Sequence, residues 1–159
     1  MTPTEGLPER FHFLARVLRK ECTHLAGTDA RLFATPFTES TAAALEHDPI
    51  LAERVEAFVG RFGRLQDSLG DKLLPLLLRG LGERPGAFVD NLDRAERLGL
   101  VESADNWLAM RKLRNQMVHE YIEDNAVLVN ALNAGHHFVP TLIATAERMI
   151  KEAEARGWV

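Results

Sequence analysis

The chain has 159 residues, 46% of them hydrophobic and 26% charged, which suits one domain with a substantial core and excludes a disordered chain. Its formal net charge of −4 argues against binding nucleic acid over the whole surface, because such binding leans on neutralising many phosphates, but it leaves room for a local basic cleft. The lone cysteine, Cys22, excludes an internal disulfide framework and a cysteine-rich zinc site, and it favours a reducing compartment.

The amino terminus, MTPTEGLPERF, lacks the basic start and apolar run of a secretion signal. No window reaches the roughly 18 uninterrupted apolar residues of a membrane span. A cytoplasmic protein with no membrane partner is expected. In residues 8 to 26, Phe11, Leu14, Val17, Leu18, Cys22 and Leu25 recur at helical spacing. Pro8 suits a first turn and Gly27 a stop, so this is read as the first helix. Residues 27 to 47 read as a loop with one or two helical turns, capped by Ser40 or Thr41. A segment of that length is available as a cover or a partner contact.

Asp48 and Pro49 open a long second helix. Its apolar stripe runs through Leu51, Val55, Phe58, Phe62, Leu65, Leu69 and Leu73. Gly60 and Gly63 each cost about 1 kcal/mol of helix propensity against Ala, and in return permit a close helix crossing. Asp67 and Asp71, four residues apart, fall together on a face turned away from Phe62. That face serves equally as a solvated acidic surface or as a functional one. Pro75 should kink the helix or end its regular part, before a stop at Gly80, Leu81 and Gly82.

Pro85 and Gly86 set off a short helix from Ala87 to Arg97, and residues 98 to 101 make a turn. Ser103, Asp105 or Asn106 can cap the next helix. After Tyr121, Ala126 to Ala134 form a helical run that Gly135 should break, and Pro140 should start or kink another. His136 and His137 do not make a metal pair, because adjacent helical residues point about 100° apart and no third ligand is near. With no alternating strand pattern, the fold expected for residues 1–159 is a single all-α domain, an antiparallel bundle of four to five helices.

The stretch Trp107 to Tyr121, WLAMRKLRNQMVHEY, carries the chemistry. Trp107, Met110, Met117, Val118 and Tyr121 share one apolar stripe, and Arg114 falls in its middle. A guanidinium placed there loses hydration that only a paired anion or a wet cleft restores. His119 lies about 140° round the helix from Arg114 and about 7.5 Å along it, within reach of one phosphate-sized anion. Asn115 can touch His119 at i,i+4. Arg111 and Lys112 add positive charge on the same helix. No Walker loop, dinucleotide fingerprint or zinc-protease motif is present.

Arg114-Asn115-x-x-x-His119-x-Tyr121 resembles the Arg-x4-His-x-Tyr signature of the HEPN superfamily, in particular its HepT-like toxin branch. The run PGAFVDNLDRAERLGLVESADNWLAMRKLRN is similar to that branch's short helix, turn and motif helix. ERVEAFVGRFGRLQDSLGDKLLP resembles its long second helix with an internal acid, here Asp67. The similarity spans roughly residues 50 to 125. It implies a metal-independent endoribonuclease without cofactor, acting as a homodimer with both motifs lining one cleft. It also implies a minimal nucleotidyltransferase antitoxin as partner, which adenylylates Tyr121.

Read from the residues, RNA cleavage by transphosphorylation is the most economical use of such an Arg–His pair. His119, with an unperturbed pKa near 6.5 for its residue type, suits the proton transfers. Arg114 suits the charge that develops on the phosphorane, and Asn115 can orient or donate. Asp67 could orient the histidine or hold an arginine. Two non-catalytic readings stand beside this one. The first is a HEPN bundle that binds a nucleotidyltransferase or a nucleotide. The second is a plain dimeric helical module in which Asp67 neutralises Arg114.

Overall fold

The computed structural model describes residues 6–120 and 123–159. Among these residues there is no strand. Seven α-helices follow in order: α1 (Leu7–Leu32), α2 (Glu39–Ala43), α3 (Pro49–Asp67), α4 (Leu74–Gly80), α5 (Phe88–Arg97), α6 (Ala104–Glu120) and α7 (Asn125–Ala155). A 3-10 turn, Ala44–Glu46, follows α2, and a π-helical turn, Ser68–Leu73, joins α3 to α4 as one continuous rod.

Side-chain pairs fix the topology. Along α1, Phe11 stacks on Trp158, Arg19 pairs with Glu154 and Asp29 meets His136, so α7 runs antiparallel to it. Glu21 meets Ser68 and Thr28 meets Arg61, so the α3–α4 rod is antiparallel to α1 as well. Across the other side of the rod, Arg114 lies over Gly63 and Trp107 against Gly70, while Asp67 meets Arg114 and Gln66 meets the carbonyl of Trp107. Helix α6 therefore runs against α3, and Met117 reaches Gly135 on α7. The four long members form a closed antiparallel square, with α2 and α5 packed on its flanks. The core inside it includes Leu18, Leu25, Phe58, Phe62, Leu65, Trp107, Met117, Leu132 and Leu142, each no more than 2% exposed. Each such side chain contributes on the order of 2 kcal/mol by leaving water.

The expected all-α bundle is thus present, with several boundaries moved. Helix α1 continues through Gly27 to Leu32, because Thr28 and Leu32 beyond it are buried; that packing outweighs the glycine's propensity cost. Gly135 does not break α7 and Pro140 does not start a new helix, since Asn125–Ala155 is continuous. Gly135 is buried where Met117 Cε and the Phe58 ring approach, so it is a packing notch in the helix interior. Pro140 is exposed, where water can hydrate the carbonyl it leaves unpaired.

Thr38, not Ser40 or Thr41, caps α2, in a reciprocal box with Thr41. Ser103 caps α6, accepting from the Asn106 amide at 3.1 Å. Asp124 caps α7, accepting from the Ala126 and Val127 amides. At Pro75 the rod neither ends nor simply kinks. The wide turn just before it, with the Leu74 amide bonded to the Leu69 carbonyl, absorbs the missing donor and the ring's steric demand.

Candidate active site

The site lies on the seam between α3 and α6. Trp107, Met110 and Met117 anchor α6 in the core, each at most 2% exposed. Their spacing leaves Arg114 on the edge of the buried stripe, between the two helices. There its Nη1 donates to Asp67 Oδ1 at 2.6 Å, with the two side chains 29% and 39% exposed. The anion demanded by a guanidinium on an apolar face is therefore supplied within the chain.

Gly63 makes this geometry possible. It is buried one turn before Asp67, and a Cβ there would lie 2.8 Å from Arg114 Nε. The arginine stem crosses α3 in the groove that the missing side chain leaves. Gly60 has no such role: a Cβ there would meet only Arg64 of its own helix, at 3.5 Å. Of the two glycines expected to permit a close crossing, one does.

Asp67 and Asp71 do not share a face. Asp67 turns to α6, whereas Asp71 lines a cleft against α1 with Glu9 and Arg10. The π-helical turn that begins at Ser68 shifts the register between them, so α-helical spacing misplaces the second carboxylate. Val118 also departs from the expected stripe, since it is 54% exposed. Beyond Arg114, α6 presents Val118, Asn115 and His119 to solvent. Arg111 is half-buried with its guanidinium 4.3 Å from the centre of the Phe88 ring, a cation–π contact that ties α6 to α5, while Lys112 is exposed. Tyr121 lies outside the described residues.

Sequence reasoning missed two polar contacts in the bundle. His136 Nδ1 and Asp29 Oδ1 lie 2.7 Å apart, and the imidazole stacks on Phe33 at 4.2 Å between centroids. Ser68 donates to Glu21 Oε1 at 3.3 Å, while Glu21 Oε2 is buried with no partner among the described residues. Burial pushes the Glu21 carboxyl above its ordinary range, against the Ser68 hydrogen bond and the charges of Arg64, Lys72 and His24. Burial, aided by Glu147 and Glu21, pushes the Cys22 thiol up to about 11, so at neutral pH it is a packing group and not a nucleophile. No group of three His, Cys, Asp or Glu side chains among the described residues is arranged to hold a metal ion. No helix among them is long and apolar enough to cross a membrane.

Chemically, the seam offers an arginine held at one edge by a carboxylate, with further N–H donors available, on the same helix as an exposed amide and an exposed imidazole. The arginine can bind an oxyanion, and the imidazole can move a proton. Comparison of the chain with protein-family models, with curated proteins and with solved structures returns no match.

Proposed function

We propose that this chain is a metal-independent endoribonuclease of the HEPN type, acting as a homodimer whose two α3–α6 seams line one RNA cleft. The observation that carries the reading is the Arg114–Asp67 pair seated on Gly63, followed along the same helix by exposed Asn115 and His119. Asp67 takes one guanidinium donor and fixes the plane of the rest, which leaves donors to face a phosphate. An exposed His119 is reachable by a 2′-hydroxyl.

His119 removes the 2′-OH proton as the oxygen attacks the adjacent phosphorus. The P–O5′ bond breaks, and a proton from the partner's site or from water completes the 5′-OH leaving group. The products are a 2′,3′-cyclic phosphate and a free 5′-OH, so no water is consumed in this step. Arg114 stabilises the added charge on the phosphorane oxygens, and Asn115 supplies a further donor. Lys112, with the exposed part of Arg111, contributes local positive charge for RNA on a chain that is acidic overall. Within this reading a nucleotidyltransferase antitoxin modifies Tyr121, two residues beyond the base, and places phosphate charge in the substrate's path.

The test is cleavage of total RNA and of tRNA in EDTA by the wild type and by His119→Ala, with the new ends mapped. Cyclic phosphate ends from the wild type, with cutting reduced at least about a hundredfold in the variant, support the enzyme. The Arg114–Asp67 pair equally favours a second reading, a dimeric interaction module in which that pair is structural. RNA left equally intact by both proteins would select the module.

A further inference from the structure

A second binding site is built into the opposite side of the α3–α4 rod, where α4 and the π-helical turn face the start of α1. The cleft there has a volume of about 470 Å³ and is lined by Glu9, Arg10, Phe13 and Leu14 from α1, and by Asp71, Lys72, Pro75, Leu76 and Arg79 from the rod. That is within the size range of small-molecule sites, which pair an apolar lining with a few polar groups. Its floor is apolar: Leu14 and Leu76 are buried, and Phe13 stands at the edge 57% exposed. An exposed phenyl ring over a concave apolar floor favours a partner that removes it from water.

The polar groups at the rim select the partner's charge. Three cations, Arg10, Lys72 and Arg79, outnumber two carboxylates, Glu9 and Asp71. None of the three cations joins an ion pair among the described residues. The register of the seam places two of them on opposite walls. Thr28 lies opposite Arg61, and seven residues on, Glu21 lies opposite Ser68. Continued beyond the π-helical turn, the antiparallel pairing brings Arg10 of α1 and Arg79 of α4 to the two walls of one cleft. Phe13 and Leu14 then lie opposite Leu76 and Pro75. With three cations against two carboxylates, the cleft keeps an excess positive charge that favours an anion, and the planar guanidinium donors on its two walls suit a carboxylate.

We propose that this cleft binds a small amphipathic organic anion. An aryl or short alkyl body lies on Phe13, Leu14, Pro75 and Leu76, and its carboxylate is held between Arg10 and Arg79. The site uses no residue of the α3–α6 seam, so its test does not depend on RNA cleavage.

The probe is 4-(trifluoromethyl)phenylacetate, followed by fluorine NMR against the full chain, with the corresponding neutral amide as control. Methyl NMR of Leu14 and Leu76 locates the contact. The expected result is saturable binding in the millimolar range or tighter, with the amide at least about tenfold weaker. The Arg10→Gln/Arg79→Gln double variant should lose about tenfold as well. Both positions are exposed, so the variant should keep the wild-type circular dichroism melt. Phe13→Ser should weaken acid and amide together. No binding up to about 10 mM, equal binding of acid and amide, unchanged affinity in the double variant, or shifts that map away from Leu14 and Leu76 would each overturn the proposal.

Discussion

Among the polar pairs that cross between helices of this bundle, two differ in what surrounds them. Asp29 and His136 join α1 to α7 at 2.7 Å, with the imidazole stacked on Phe33. Asp67 and Arg114 join α3 to α6 at 2.6 Å, beside a glycine and ahead of exposed polar residues. In the first pair an aromatic ring covers one face of the imidazole, and the contact is a clasp between helices. In the second, the guanidinium keeps donors beyond the one used by Asp67, and no aromatic ring among the described residues stacks on it. A polar pair offers chemistry to a ligand only when its remaining donors stay open.

The sharpest way to break this contrast is at Gly63. Gly63→Val should push Arg114 off Asp67 and lower RNA cleavage by at least about tenfold, with the helical circular dichroism spectrum retained. Gly60→Ala, where only the tip of Arg64 is near, should leave cleavage unchanged and stabilise the fold by up to about 1 kcal/mol. Equal effects of the two on cleavage would show that the notch does not position the arginine.

The two aspartates should separate stability from activity. Asp29→Ala removes a partner that is 15% exposed and should cost about 1.5 kcal/mol in urea denaturation, with RNA cleavage intact. Asp67→Ala breaks a pair that is 39% exposed on the acidic side and should cost under about 1 kcal/mol, yet lower cleavage by weakening Arg114's hold on phosphate. If Asp29→Ala impaired cleavage as much as Asp67→Ala, the α1–α7 contact would be more than a clasp.

The smallest effect concerns Glu21, at the junction of α1 and the rod. Its carboxyl is held above its ordinary value of 4.5 in the folded chain. The folded state therefore binds that proton more tightly than the unfolded state does. Stability from this group is greatest below the ordinary value and is lost as pH rises through the raised folded value. Glu21→Gln should remove that slope, so variant minus wild-type stability should increase between pH 4 and pH 7. A difference that stayed flat over this interval would mean that burial does not disfavour the ionised carboxyl.

The bundle was legible in the sequence because apolar periodicity is a local property. The stripe from Val55 to Leu73 is buried as its spacing implied, and so are Trp107, Met110 and Met117. Helix stops were less legible, because Gly27, Gly135 and Pro140 interrupt propensity but not packing. Arg114 announced itself as a cation on an apolar face, and resemblance supplied Asp67 as a candidate acid 47 residues away. Nothing local linked His136 to Asp29 across 107 residues, and nothing in α-helical spacing could separate Asp71 from Asp67.

That separation has a consequence for the chain's tolerance of length change. The turn at Ser68–Leu73 acts as a phase shifter within a single rod. Just before it, Asp67 addresses α6; within it, Asp71 addresses α1. Losing one residue from this turn would let the helix close to ordinary α geometry with Leu74 and the residues beyond it still facing as they do, because the wide turn already absorbs one surplus residue. Losing one from the α-helical part between Phe62 and Asp67 would instead turn everything beyond it by about 100°, and Leu74, Leu77 and Leu78, now buried, would leave the core together. The turn is therefore the one stretch of the rod that can lose a residue and keep both ends in phase.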